Sequence, residues 1–256
     1  MPIDLKKFTN EELLNEVKSR MTVYQNDTNV SQDDTKPEFK KFDFLPNAIF
    51  DKPTSWLKTR GRYETETGNP DGIVIHFTAG RYTTIARDFF SWMKENGLAT
   101  LYIEHNGQVV QNQKLNEWGY HAGSSQCPVT KRWSVSKYYI GIEVACPGRL
   151  TKINDDAFES WFGKQYKREQ VRYVEGGGDY FKGGYVHSGW YAKFSNAQEE
   201  SLIKTCALLC KNYDIDPKFI VSHDEVAPQR KNDVGGSLSM TMKDFREKID
   251  RELKAL

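Results

Sequence analysis

The segment "VSHDEVAPQRKNDVGG", Val221 to Gly236, brings a histidine, a lysine and an aspartate into one short loop closed by a glycine pair. A solvated loop accounts for the charges. It does not account for His223 following the apolar pair Ile220 and Val221. A second imidazole, His76 in "VIHFT", also stands at the edge of an apolar run. Two histidines and one carboxylate are a ligand set for catalytic Zn2+, which keeps a fourth position open for water. The single charge of Asp233 would leave such a cation net positive, so its bound water would be acidified toward neutrality. Spacing alone also permits a plainer reading, in which both histidines are hydrogen-bonded residues at strand ends.

Convergence of these residues requires elements that end in the right places. "GIVIHFTAG" (72–80) and "YYIGIEVAC" (138–146) read as buried strands closed by small residues. "TLYIEHNGQVVQN" (100–112) reads as a hairpin turning at Asn106-Gly107. "KFIVSH" is a short strand ending at His223. "RDFFSWMKENG" (87–97) reads as an amphipathic helix stopped by Gly97. "NAQEESLIKTCALLCKNYDI" (196–215) reads as a long helix with Leu202, Cys206, Leu209 and Cys210 inward, and "MTMKDFREKIDREL" as a terminal one. Alternating strands and helices predict an α/β fold, a central mixed β-sheet flanked by helices. Residues 149–195 carry the Gly/Tyr-rich "YVEGGGDYFKGGYVHSGWY" without clear periodicity and are expected to be an elaborated loop region.

At the start, Thr9 and Glu12 form a capping box before Leu13, Leu14, Val17 and Met21, predicting a short helix. Residues 24–41 are too polar to bury anything. The expected organisation is therefore an N-terminal arm over 1–45 and one domain over 46–256.

Composition narrows the classes. The 256 residues carry 36 basic and 35 acidic side chains, a net charge of +1, which gives no electrostatic footprint for nucleic acid. No apolar run is long enough to span a bilayer, and the first twenty residues lack a secretory apolar core. Synthesis in the cytoplasm and no stable membrane insertion are expected. The four cysteines form no CxxC pair and read as reduced core residues. Aromatic residues are plentiful (13 Tyr, 14 Phe, 6 Trp), beyond what a core needs and suited to a sugar- or peptide-binding cleft.

Taken in order, "GIVIHFTAG", "YIEHNGQVVQ", "EWGYHAGSS", "YYIGIEVACPG", "NAQEESLIKTCALLC" and "IVSHDEVAPQRKNDVGG" resemble successive blocks of the zinc-dependent N-acetylmuramoyl-L-alanine amidases. That family is shared by phage lysozyme-type amidases, muropeptide-recycling amidases and peptidoglycan recognition proteins. The blocks run from Gly72 to Phe245, and residues 1–70 have no counterpart. The resemblance implies that His76, His223 and Asp233 are the Zn2+ ligands, although Val234 stands where members usually have proline. It also implies catalytic roles for Glu143 and Lys231. Burial of Glu143 among apolar neighbours would raise its pKa toward that of a general base. Lys231 could stabilise the oxyanion formed at an amide carbonyl. By the same resemblance, Trp118 and His121 of "EWGYHAGSS" are candidate substrate-binding residues at the cleft, whereas His105 and His187 are weak ligand candidates.

The implied activity is hydrolysis of the amide between N-acetylmuramic acid and L-alanine, in peptidoglycan or a muropeptide. An endolysin or lysis-associated role is expected, with action on the cell wall. The rival readings are a binding module without catalysis and a structural part of a phage particle or secretion machine. In the latter the arm would dock a protein partner.

Overall fold

The computed structural model describes residues 41–46, 48–50, 60–82, 98–111, 113–178 and 185–256. The helices expected near residues 9–21 and 87–97 lie outside the described residues, as does most of the arm. Lys40–Leu256 form one compact unit. The chain is tied into that unit before residue 46. Asn212 bonds both backbone groups of Phe42, and Gln111 bonds Asp43 O and Leu45 N.

Six strands make the central sheet: β1 (Ile49–Phe50), β2 (Gly72–Phe77), β3 (Leu101–Ile103), β4 (Val109–Gln111), β5 (Tyr139–Val144) and a short strand at Ile220–Ser222, numbered β11. Their order is β1-β4-β3-β5-β2-β11. Only the β3–β4 hairpin is antiparallel, so the sheet is mixed, as the alternating pattern implies. Helices α1 (Asn196–Tyr213) and α3 (Met242–Ala255) pack against each other, and a four-residue helix, α2 (His223–Val226), follows β11 directly. α1 starts where Ser195 and Gln198 cap each other reciprocally, and Gln198 Nε2 reaches Ala145 O, pinning the helix to the end of β5.

The period of two along the strands sorts their side chains onto two faces. Ile73, Ile75 and Phe77 of β2 join Ile140, Ile142 and Val144 of β5 and the inner side of α1 in the main core. Val74, Tyr139 and Val221 face the other way, packed by Ala122, Cys127, Val135 and Val226. His76 follows Val74 by two residues and is in register with Glu143. Both therefore stand on this second face, at the carboxyl ends of neighbouring parallel strands. Cys206 and Cys210 are buried free thiols in the core, as read.

Residues 149–195 correct the sequence reading. They hold a five-stranded antiparallel sheet, not long loops: β6 (Arg149–Lys152), β7 (Ala157–Glu159), β8 (Gln165–Lys167), β9 (Val171–Val174) and β10 (Gly189–Ala192), in the order β8-β7-β6-β10-β9. These strands are three or four residues long, and β6 to β9 each send one fully inward residue, Leu150, Phe158, Tyr166 or Val171, to the main core. One apolar position per strand is too little for alternation to register.

Candidate active site

β2 carries His76 one residue before its end, β11 leads directly into His223 at the start of α2, and the loop after α2 returns Asp233. Ser222 caps α2 through its backbone N–H, which donates to Glu225 Oε2 at 3.0 Å. Glu225 is itself held by a buried ion pair with Arg246 of α3. The Asp233 loop is fastened at its base, where Asp224 N–H donates to Asp233 O at 2.6 Å; the Asp233–Val234 peptide is cis.

The second sheet buttresses this loop. Arg172 Nη1 donates to Gly236 O and Leu238 O at 3.0 and 2.6 Å, and His187 Nε2 to Pro228 O at 2.7 Å. Gly235 has φ +49°, and a Cβ there would lie 2.3 Å from the Tyr191 ring of β10. Only glycine allows that approach. His187 is thus a brace of the loop. His105 packs against Tyr82, with ring centroids 4.4 Å apart and the planes tilted by 47°.

The three candidate ligand atoms meet in a small triangle. His76 Nδ1 and His223 Nδ1 are 2.8 Å apart, and Asp233 Oδ2 lies 3.1 Å from the first and 2.8 Å from the second. All three side chains are buried, and among the described residues this is the one such cluster of His, Cys, Asp or Glu. Donor atoms of a tetrahedral Zn2+ site at about 2.0–2.1 Å are ~3.3 Å apart, so the observed edges need open by only a few tenths of an ångström.

Hydrogen bonding on the outer side of the rings decides what the triangle can hold. His223 Nε2 lies 3.1 Å from Ala122 O, and a carbonyl only accepts, so Nε2 carries the proton. Ala122 O also accepts from Arg230 Nη2 at 2.7 Å. His121 Nε2 lies 2.9 Å from Tyr139 O and is protonated for the same reason, leaving its Nδ1 as an acceptor. His76 Nε2, 2.9 Å from that Nδ1, must then donate. Both inner Nδ1 atoms are left with lone pairs, beside a carboxylate. Three acceptors this close repel one another unless a cation, or one extra proton, lies among them. The donor set fits Zn2+: two imidazole nitrogens and one carboxylate oxygen, with their tautomers fixed from behind.

Loss of hydration pulls the His76 pKa down to about 4, and His223 adds to the effect, so this ring is neutral near pH 7. His121 is also pulled well below the ordinary histidine value by burial, then by His76. For Asp233 burial pushes upward, but one extra proton shared with the inner nitrogens of His223 and His76 outweighs it and holds the carboxyl well below the usual range.

A cavity of about 480 Å³ opens over the triangle, lined by Glu143, Lys231, Tyr120 and Arg230 as well as the three candidate ligands. Glu143 Oε2 is enclosed and has no hydrogen-bond partner. Desolvation, then the Asp233 charge, pushes its pKa up to about 8, against a smaller pull from Lys231. A carboxyl group poised there can exchange a proton near neutral pH. A second cavity, of about 540 Å³, lies behind the Asp233 loop. Its buried carboxylate, Asp224, is already engaged by Ser222 Oγ and Gly235 N–H, so the chemistry belongs to the first cavity.

Two sequence assignments need correction. Trp118 is 5% exposed and packs in the main core; the aromatic that this segment offers to the cavity is Tyr120, 47% exposed. Gly119 and Tyr120 stand between Trp118 and His121, and of the two rings the larger lies inward. His121 borders the cavity, but both its ring nitrogens are occupied by His76 and Tyr139 O, leaving none for substrate. Sequence reasoning also missed Gly141, whose absent side chain makes room for the His121 ring: a Cβ there would lie 2.5 Å from His121 Cγ. A glycine inside the strand "YIGIEV" is itself a sign of close approach.

Comparison with known proteins adds a family and a fold. The model of the N-acetylmuramoyl-L-alanine amidase family matches residues 66–236. No curated protein sequence matches the chain. Among solved structures, the hydrolase AmiA of Staphylococcus aureus, in complex with its ligand, is similar with a TM-score of 0.50 and 14% identity, over 82% of this chain and 84% of that one. A selenomethionine derivative of AmpD gives 0.48 and 16%, over 85% and 98%. AmiD of E. coli, bound to anhydro-N-acetylmuramic acid-L-Ala-D-gamma-Glu-L-Lys, gives 0.45 and 22%, over 69% of this chain and 57% of that one. At 14% identity the likeness to AmiA is one of fold.

Proposed function

The chain belongs to the N-acetylmuramoyl-L-alanine amidase family, and on that footing we propose that it hydrolyses the amide between N-acetylmuramic acid and L-alanine with Zn2+ held by His76, His223 and Asp233. The convergence of those three ligand atoms, with the outer nitrogens of both rings already committed, carries this reading. Bound there, the cation would supply an acidified water and polarise the scissile carbonyl.

The remaining roles belong to side chains of the cavity. Glu143 takes the proton of the attacking water and returns it to the departing amine. Its enclosed, unpartnered oxygen and raised pKa suit both steps. Lys231 brings an ammonium to the developing oxyanion. Competent side chains at all three ligand positions disfavour the reading as a binding module without catalysis. Mass analysis of digested peptidoglycan tests the bond assignment: new free L-alanine amino termini are expected, and new reducing sugar ends would refute it. Chelation should abolish the activity and Zn2+ restore it.

We also read the enzyme as lytic, of the endolysin kind, acting on polymeric wall after synthesis in the cytoplasm. The cavity rim supports this reading. Trp161, 77% exposed, donates its indole N–H to the carbonyl of cavity-lining Ala79 at 2.6 Å, and Tyr120 offers a second exposed ring. Such faces suit stacking on sugars beyond the reacting residue. Clearing of whole sacculi faster than cleavage of a soluble muropeptide is expected; the reverse preference would reject lysis while leaving the amidase reading intact. For the residues ahead of Lys40 the corresponding proposal is a docking arm, tested by a partner that co-purifies and is lost on deletion of 1–39, which spares the anchored Phe42 and Leu45.

A further inference from the structure

We propose that His121 is a positioning residue for the metal site, setting the tautomer of His76 and thereby presenting its Nδ1 lone pair to the cation. The inference rests on the reading of His76, His223 and Asp233 as the ligand set. The chain of bonds runs in one direction. Tyr139 O accepts from His121 Nε2–H at 2.9 Å, and His121 Nδ1 accepts from His76 Nε2–H at 2.9 Å. The rings of His76 and His121 meet edge-on, with centroids 5.1 Å apart and planes at 80°, which points the donating edge of one at the in-plane lone pair of the other.

The fold is built around this contact. Ser136 Oγ accepts from the backbone N–H groups of both His121 and Ala122, at 3.2 and 2.8 Å, holding the segment in place. Ala122 O then accepts from His223 Nε2. One two-residue unit, His121-Ala122, therefore stands behind both imidazole ligands, through a side chain for His76 and a carbonyl for His223. Gly141 of β5 clears the space in which the His121 ring lies. A neutral imidazole accepts less strongly than a carboxylate would, so its contribution is orientation and tautomer rather than added negative charge. Loss of such outer partners typically costs 10–100-fold in metal affinity.

The test uses the full chain and Zn2+ itself. His121→Phe keeps the ring volume without the acceptor, His121→Asn restores an acceptor near the Nδ1 position, and Gly141→Ala displaces the native ring. Zn2+ affinity is read by competition with a chelator, and the His76 tautomer by 15N chemical shifts in the zinc-free protein. The expected results are 10–100-fold weaker Zn2+ binding for His121→Phe and Gly141→Ala, and recovery to within several-fold of wild type for His121→Asn. In zinc-free wild type, His76 should be the Nε2–H tautomer, and in His121→Phe a mixture. Unchanged affinity in His121→Phe, or an unchanged tautomer, would overturn the proposal. Should wild type fail to bind Zn2+ while the tautomer still depends on His121, the ligand-set reading fails and the positioning contact stands.

Discussion

Replacing Glu143 by glutamine should disable the enzyme and stabilise its metal-free form, with a pH dependence that the structure dictates. The carboxyl titrates near 4.5 in an unfolded chain and near 8 in the folded one, first because burial strips its hydration and second because Asp233 is close. Between those values the folded protein retains a proton that the unfolded chain has released. Stability therefore falls as pH rises through this window, by at most ~1.4 kcal/mol per pH unit, and the loss is complete above the folded value. The full shift corresponds to an upper bound of ~5 kcal/mol. Relaxation and water entry around a half-buried group reduce it, leaving an expected effect of ~2–3 kcal/mol. Glutamine carries no charge and escapes the penalty. Urea unfolding of the chelated proteins at pH 4.5 and pH 9 measures it. The two should be nearly equal at pH 4.5, and Glu143→Gln should be the more stable at pH 9. Turnover of the zinc-loaded variant should fall ~10²–10⁴-fold. Equal stability at pH 9, or a variant less stable there than at pH 4.5 relative to wild type, would refute the account of a desolvated, unpartnered carboxyl.

Other perturbations separate the remaining parts. Lys231→Met should retain Zn2+ and lower kcat by ~10²–10³-fold with little change in KM, because its charge is engaged at the transition state; single-turnover kinetics with metal analysis check this. Gly235→Ala places a methyl against Tyr191 in a left-handed backbone and should destabilise by ~2–4 kcal/mol while weakening Zn2+ binding, both readable from urea titrations with and without metal. Arg246→Met strands the buried Glu225 carboxylate, which caps α2, and should cost ~3–5 kcal/mol at neutral pH; thermal unfolding measures it.

Much of this architecture was legible because its signals are local. The apolar runs at 72–80 and 138–146, the Asn106-Gly107 turn and the 196–215 periodicity each identify an element without outside help, and the sheet forms from them. The ligand candidates were legible too, since His76 and His223 stand at the carboxyl ends of apolar runs that the parallel sheet sets side by side. What escaped depends on contacts far apart in the chain. Nothing near His121 reveals that its partners are His76 and Tyr139, and the exchange of Trp118 for Tyr120 at the cavity turns on which ring the core could accept. The second sheet escaped for a different reason: its strands are short and send single side chains inward, so its stability comes from pairing and from the shared core. Its Gly235 and Gly236 contacts make it a support of the Asp233 loop, a role that composition alone could not suggest.

X-ray absorption at the zinc edge, on protein loaded with one equivalent of Zn2+, tests the central claim most directly. The account predicts a first shell of nitrogen and oxygen at about 2.0–2.2 Å, with outer-shell scattering from two imidazoles and no sulfur. A thiolate shell near ~2.3 Å, or a shell without imidazole, would contradict it.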